Sequence, residues 1–585
     1  MQSFYTSSFY FISKKSFLIF IICSLFFIFP INKINAQGTW TPLANTAPDT
    51  CGGVMLLLTD GTVIAKSYLG GVDSIGSTWN KLTPDVHGSY VNGTWSSISA
   101  MHDSRLYFAS QVLKDGRVLV AGGEYGSGVN QAEVYNPLTD TWAMTPPPGA
   151  SLGDAGSQML PDGTVLTAIV GGGSHNTTIY NPLQNTWTPA ATCLGSHNET
   201  SWLKLPDESI VMVDVGSINS ERYIPSLNQW IMDAQLPVQL YDPFGSETGA
   251  ALLLPDGRGF FIGATNHTAI YTPSGSTAMG SWVAGPDIPN NHGAVDAAAA
   301  MMVNGKILCA VGNAPVSFSQ IFDPPTWFYE YDYVSNSFTQ ITAHNGLDTL
   351  SQPCYYTNML QLPDGNVLYG DMESIKYYVY SPSGAPLVAG KPVIDSIWSD
   401  SNCNYTMAGI NFNGISAGAA YGDDWQMDTN YPLVRLTNGT NVYYARTYNW
   451  NRTGVQTGAL PDTTQFSLPI NLPSANYWLQ VVVNGIASDS VAFTPCIDIG
   501  IHSSPLADEI EVSVFPNPAK NEIRITNYEL GMKEVKIYNI VGEMVFETTS
   551  NKQQTKVDIS SFAKGVYFVE VQSEKGVLRK KFVKE

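Results

Sequence analysis

Ten side chains are of types that could do chemistry if they met: His102, Arg105, Asp154, Glu199, Trp202, Glu247, His292, Asp296, Tyr355 and Tyr356. Carboxylates held close together can pass protons to a substrate or hold a cation, and aromatic faces beside them can stack on a sugar ring. Each of the ten stands shortly ahead of a recurring Asp-Gly-type turn, so the elements that follow them decide whether they converge. Other chemistries find no support. The eight histidines show no HExxH-like spacing. The cysteines beyond Cys23 (Cys51, Cys193, Cys309, Cys354, Cys403 and Cys496) form no CxxC pair, which argues against zinc. Gly171-Gly-Gly173 lacks the strand-to-helix setting of a nucleotide loop. The expectation is therefore no metal, no cofactor and no assignable catalytic residue.

The positioning elements repeat. An apolar run, Asp-Gly or a relative, and a second apolar run recur seven times, around Asp60-Gly61, Asp115-Gly116, Asp162-Gly163, Asp207-Glu208, Asp256-Gly257, Asn304-Gly305 and Asp364-Gly365. Such a dipeptide between apolar runs is a hairpin signal, because the turn needs positive φ. Most copies are followed by an aromatic, a nearby Pro and a Trp, as in Tyr135-Asn-Pro-Leu-Thr-Asp-Thr-Trp142, Tyr180-Asn-Pro to Trp187 and Tyr223-Ile-Pro to Trp230. The first unit offers only Trp79-Asn-Lys-Leu-Thr-Pro84. Two hairpins per unit, at a period of roughly 45 to 60 residues, describe a propeller blade. The seventh unit stops at Tyr380-Ser-Pro382 without its Trp strand, and Gly38-Thr-Trp-Thr-Pro42 carries the missing piece. The sequence thus predicts an all-β chain led by a seven-bladed propeller over 37–388, closed by its N-terminal strand. The repeated Trp residues read as packing between neighbouring blades.

Composition supports this. Charged residues are 13% of the 585, while Gly (52), Pro (35) and Tyr (30) are plentiful, which suits short strands and tight turns. The net charge is −20, yet the segment from Glu509 onward holds 12 Lys+Arg against 11 Asp+Glu, so the acidity belongs to the body. Such a body repels polyanions, and nucleic acid is not an expected partner. Lys14-Lys15, the apolar run Phe17–Pro30 and a terminal Ala36 read as a cleaved secretory signal over 1–36, with no later stretch able to span a membrane. Export permits disulfides, and Cys403 with Cys496 is the preferred pair, beside the alternative of free buried thiols.

Residues 389–495 carry strand-like segments rich in aromatic and β-branched residues, such as Tyr477-Trp-Leu-Gln-Val-Val-Val483. They suggest an immunoglobulin-like sandwich. Residues 496–511 read as a linker, and 512–585 as a small β-sandwich. The pattern Asp115 to Gly123 and the Tyr-Asn-Pro…Trp element resemble kelch repeats. Propeller followed by sandwich resembles the galactose oxidase and glyoxal oxidase group. Phe515-Pro-Asn-Pro518 with Lys564-Gly-Val-Tyr567 resembles the type A C-terminal sorting domain of the type IX secretion system of Bacteroidota. That resemblance implies a secreted or outer-surface protein with the type IX secretion machinery as partner.

The oxidase resemblance implies a copper centre built from a Cys–Tyr crosslink, a second Tyr and two His. Position by position the chain departs from it. Ala109 stands for the crosslinked Cys, Asp154 for its Tyr, Tyr356 for one His and Asn441 for the other, while Tyr355 matches. In the related enzymes the site is built by residues just ahead of each inner strand, which is where the ten residues named above lie. The leading expectation is non-catalytic recognition of a glycan or protein ligand at this funnel face. The alternatives are a carbohydrate-active enzyme using funnel carboxylates and a degenerate copper-radical oxidase homologue.

Overall fold

The computed structural model describes residues 37–67, 75–153, 156–171, 175–372, 374–400, 403–420, 430–496, 512–527, 533–549, 552–573 and 576–585. The expected signal at 1–36, residues 497–511 of the expected linker at 496–511, and Asp154 lie outside them. Among the described residues no helix is long and apolar enough to cross a membrane.

From Thr39 to Ser381 the described residues form seven antiparallel sheets, each a four-stranded blade at its core. Blade 1 runs Cys51–Leu57, Val63–Ser67, Trp79–Thr83 and Thr94–Ile98. The innermost strands of blades 2 to 7 begin at Ala109, Ser157, Trp202, Ala251, Ala299 and Thr357. Those of blades 1 and 7 lie side by side, so the ring closes. The outermost strand of blade 7 is Thr39–Pro42, with Trp40 opposite Tyr380. This is the strand exchange expected from the missing Trp element.

The repeats have a common physical basis. In each Asp-Gly hairpin the carboxylate accepts the amide two residues on, as at Asp60–Thr62 (3.1 Å), Asp115–Arg117 (3.0 Å) and Asp162–Thr164 (3.0 Å). The following glycine takes φ between 78° and 91° at Gly61, Gly116, Gly163, Gly257 and Gly365, and Glu208 tolerates 67° in the one unit without glycine. In the outer hairpin the Tyr hydroxyl donates to the residue five positions on: Tyr135 to Asp140, Tyr180 to Asn185, Tyr223 to Asn228 and Tyr331 to Asn336. Those acceptors are the left-handed residues of their turns.

The Trp residues pack, as expected. Trp142 lies 5.0 Å from Tyr135 and Trp187 5.0 Å from Tyr180. Their indole N–H groups donate to the preceding blade, Trp142 to Ser99 O and Trp187 to Thr145 Oγ1. Blade 1 corrects one reading. Trp79 sits on the third strand, and Trp95 is the outermost Trp. A ten-residue connection held by Asp85, which accepts from His87 N and Ser89 N, separates the two and hides the spacing.

Residues Val393–Phe493 form a second body. Its long strand Asn441–Tyr448 pairs with Leu433–Asn438 through one half and Asp462–Ser467 through the other. The two halves enclose Tyr405, Met407, Phe412, Leu436, Phe466 and Leu479. Cys403 and Cys496 are disulfide-bonded across it, while Cys51, Cys193, Cys309 and Cys354 are buried thiols. This body seats on the Asp-Gly face of the ring. Tyr431 donates to Leu57 O, Arg446 to Asp115 O, and Lys204 Nζ to Thr453 O at 3.1 Å. Strand Ala417–Ala420 enters from that face and pairs with the inner strand Ala251–Leu253 of blade 5.

The C-terminal body has two sheets, of three and four strands, over a core of Val512, Ile523, Ile525, Val535, Ile537 and Phe582. Asn517 of the Phe-Pro-Asn-Pro stretch accepts from Val583 N (2.9 Å) and donates to Lys581 O (3.2 Å). The motif and the last strand therefore hold one another.

Candidate functional site

The segments ahead of the innermost strands gather at the ring face opposite the Asp-Gly turns. Here Glu199, Glu247 and Asp296, from blades 4, 5 and 6, each place a carboxylate oxygen within 4.8 Å of the other two. All three are half-buried. Their backbones interlock: Thr248 Oγ1 donates to Glu199 O (2.6 Å) and Asp296 N to Thr248 O (3.0 Å). Glu199 and Asp296 hold φ of 54° and 47°, and Ser246, next to Glu247, holds 71°. Three left-handed non-glycine residues on adjacent segments are costly, and such strain concentrates at working sites. Carboxylates this close repel one another and favour a positive charge or hydroxyl donors between them.

The remaining expected residues divide. Tyr355 and Tyr356 lie at the same face with ring centroids 4.9 Å apart. His102 keeps its ring more than half exposed and bonds through Nδ1 to Glu133 at 2.7 Å. Arg105 is a correction, because it is wholly buried. Its guanidinium donates to Gly122 O (2.7 Å), Gly128 O (2.6 Å), Gln131 O (2.8 Å) and Glu133 (3.2 Å), and ties down the loop of blade 2. Burial pulls its pKa down, the Glu133 carboxylate opposes that, and no face of it is offered to a ligand. Trp202 is likewise buried, its ring 5.2 Å from Trp230 within the packing of blade 4. His292 is buried and stacked on Trp327 at 3.9 Å, with Nδ1 3.2 Å from the Tyr329 hydroxyl. Burial pushes its pKa down, so it is a neutral packing residue.

The structure adds aromatics that sequence reasoning missed. Phe244 sits in a turn closed by Asp242, which accepts from Phe244 N, Gly245 N and Glu247 N. The connection 314–326 of blade 6 brings Phe318 to 5.5 Å from Phe244 and Phe322 to 5.0 Å from Tyr355. The available signal was the length of that connection and its exposed Phe-x-x-x-Phe.

The copper set that the oxidase resemblance implies does not fit these residues. Ala109 is a donorless side chain buried in the inner strand of blade 2. Asn441 pairs with Asn438 in a hairpin whose Val442 N donates to Val86 O on the Asp-Gly side of the ring. Among the described residues the donors gathered there are carboxylate oxygens, a hard set unlike the imidazole and thiolate ligands that copper prefers.

Comparisons with known proteins agree with two of the parts. Residues 106–149 match the Kelch motif, and residues 513–585 match the Secretion system C-terminal sorting domain. A 73-residue stretch is 33% identical to Beta-agarase A of Zobellia galactanivorans, spanning 12% of this chain and only 13% of that protein. A fungal alcohol oxidase of the AA5 family, in complex with copper, superposes at TM-score 0.47 and 16% identity, over 79% of this chain and all of that one. A catalytically inactive virginiamycin B lyase from Staphylococcus aureus, with quinupristin, gives 0.42 and 11%, over 59% of this chain and all of that one. The chain is a kelch-containing propeller protein that carries a type IX secretion sorting domain, and is secreted or attached to the outer surface.

Proposed function

We propose that this exported propeller recognises a glycan or protein ligand at the ring face opposite its sandwich domain, without catalysis. The observation that carries the reading is the convergence of Glu199, Glu247 and Asp296 from three blades within 4.8 Å. Side chains separated by some fifty residues along the chain meet there by the symmetry of the ring. An acidic body with an acidic mouth selects against anionic ligands and for neutral polyols or cationic groups. The working division is a propeller at 37–388, a sandwich at 389–495 and a sorting domain at 512–585.

The test is binding of the full chain to glycan and protein arrays, beside Glu199→Gln/Glu247→Gln/Asp296→Asn. Binding lost in the triple variant with an unchanged melting midpoint supports the reading. Binding untouched by it overturns the reading.

The same cluster favours a second reading, a carbohydrate-active enzyme. Retaining glycosidases hold their two carboxyl groups about 5–5.5 Å apart. Reducing-end release from a glycan, abolished by Glu247→Gln, would establish it over recognition.

A further inference from the structure

The sandwich reaches toward the mouth through the ring. The innermost strand of a propeller blade leaves one edge facing the central channel. Among the described residues, blade 5 alone has that edge taken by a fifth strand, Ala417–Ala420 of the sandwich. Ala417 stands opposite Leu253 and Ala420 opposite Ala251, so the strand runs from the Asp-Gly face toward the mouth. It also passes beside Trp202–Lys204 of blade 4 and Ala299–Met301 of blade 6. Ala417 packs on the apolar cluster that holds Leu203 and Leu253. Blades 4, 5 and 6 are the three that supply Glu199, Glu247 and Asp296.

Both ends of this strand are held. At its base Ser416 O accepts from Asn430 Nδ2 (2.6 Å) and Asn484 Nδ2 (2.7 Å), and Asn430 O accepts from Asn413 Nδ2 (2.7 Å). At its far end it pairs with Ala251, and between Ala251 and Glu247 stands the buried Thr248. The Thr248 hydroxyl donates to Glu199 O, and its carbonyl accepts from Asp296 N. Glu199 and Asp296 are the two members of the cluster with positive φ. Such a backbone persists only where its surroundings over-determine it. One threonine thus grips both strained residues, on a segment that leads into the strand the sandwich pairs with. We propose that the sandwich sets the spacing of the three carboxylates through its inserted strand, and that Thr248 is the positioning residue that transmits it. The sandwich is then part of the mouth's architecture. This rests on the reading of the mouth as a recognition site, although the spacing is measured without ligand.

The experiment compares the full chain with Thr248→Val, which keeps the shape and removes the hydroxyl, Thr248→Ser, which restores the hydroxyl, and Asn430→Ala/Asn484→Gly, which frees the base of the strand. Glycine suits position 484 because Asn484 holds a φ of 47°. Two rates are read by mass spectrometry, carbodiimide labelling of Glu199 and Asp296 and hydrogen exchange of 197–202 and 294–298. Thr248→Val should raise both rates several-fold, and Thr248→Ser should return them to wild type. Asn430→Ala/Asn484→Gly should raise them in the same direction, although its substitutions lie in the sandwich. Labelling of Asp162 and Asp256 and exchange of Ala109–Val112 in blade 2 should stay unchanged. Unchanged rates in Thr248→Val overturn the role of Thr248, and unchanged rates in the asparagine variant overturn the role of the sandwich. A rise shared equally by blade 2, or one that Thr248→Ser does not reverse, means general loosening and also overturns the proposal. Because no ligand enters either measurement, a wild type that binds neither array defeats the recognition reading alone.

Discussion

Replacing Trp40 tests whether the N-terminal strand closes the ring. Its indole lies 4.7 Å from Tyr380, 5.3 Å from Tyr369, 5.5 Å from Phe328 and 6.2 Å from His344, and its N–H donates to Thr342 O at 2.8 Å. Those partners belong to blades 6 and 7 and the connection between them, so one residue of the first described strand binds the last two blades together. Its neighbour Gly38 admits no side chain, because a Cβ there would fall 2.4 Å from the Tyr380 ring. Truncating a buried Trp costs about 3–5 kcal/mol. Trp40 is only half-buried, which places Trp40→Ala near the low end, at about 3 kcal/mol. Trp40→Phe keeps the ring contacts but loses the donor, which amounts to about 1 kcal/mol. Trp478→Ala, exposed on the sandwich, is the control and should stay within about 0.5 kcal/mol. Urea unfolding of the full chain, followed by fluorescence, reads these as shifts in midpoint at a shared slope. If Trp40→Ala and Trp478→Ala prove equally mild, the N-terminal strand does not hold the ring shut.

Two further predictions concern the seam and the sandwich. Burial at the propeller–sandwich seam pushes Lys204 down to about 8, with Glu208 at 3.9 Å opposing the shift only in part. Between about pH 8 and about 10.4 the unfolded chain keeps a proton that the folded chain has lost, so stability rises with pH across that window, by about 3 kcal/mol. Lys204→Met should abolish that rise in urea midpoints measured at pH 7.5 and 10.5, and a rise that persists would refute the assignment. Cys403–Cys496 closes a separation of 93 residues, so Cys403→Ser/Cys496→Ser should lose about 4 kcal/mol from the sandwich transition. Loss below about 1 kcal/mol would show that the bridge constrains little.

The repeats were legible because each carries its own turn chemistry. An Asp that accepts from two residues on, a glycine at positive φ and a Tyr that donates to its fifth neighbour are local devices, readable without the tertiary structure. Blade 1 was harder, because the connection held by Asp85 lengthens the interval between Trp79 and Trp95. The convergence was legible by position, the directions of the side chains less so. Glu199, Glu247 and Asp296 do meet, but a place ahead of an inner strand does not say which way a side chain turns. Arg105, Trp202 and His292 occupy such places and turn inward, to carbonyls, to Trp230 and to Trp327. Phe318 and Phe322 sit on a connection outside the repeat, where no periodicity points to them.

The central claim is that ligands engage the acidic mouth. Carbodiimide labelling of the full chain, mapped by mass spectrometry with and without saturating bound ligand, tests it most directly. The account predicts that ligand protects Glu199, Glu247 and Asp296 while Asp162 and Asp256, at Asp-Gly turns on the opposite face, label as before. Protection confined to residues elsewhere, with those three carboxylates labelled at an unchanged rate, would contradict it.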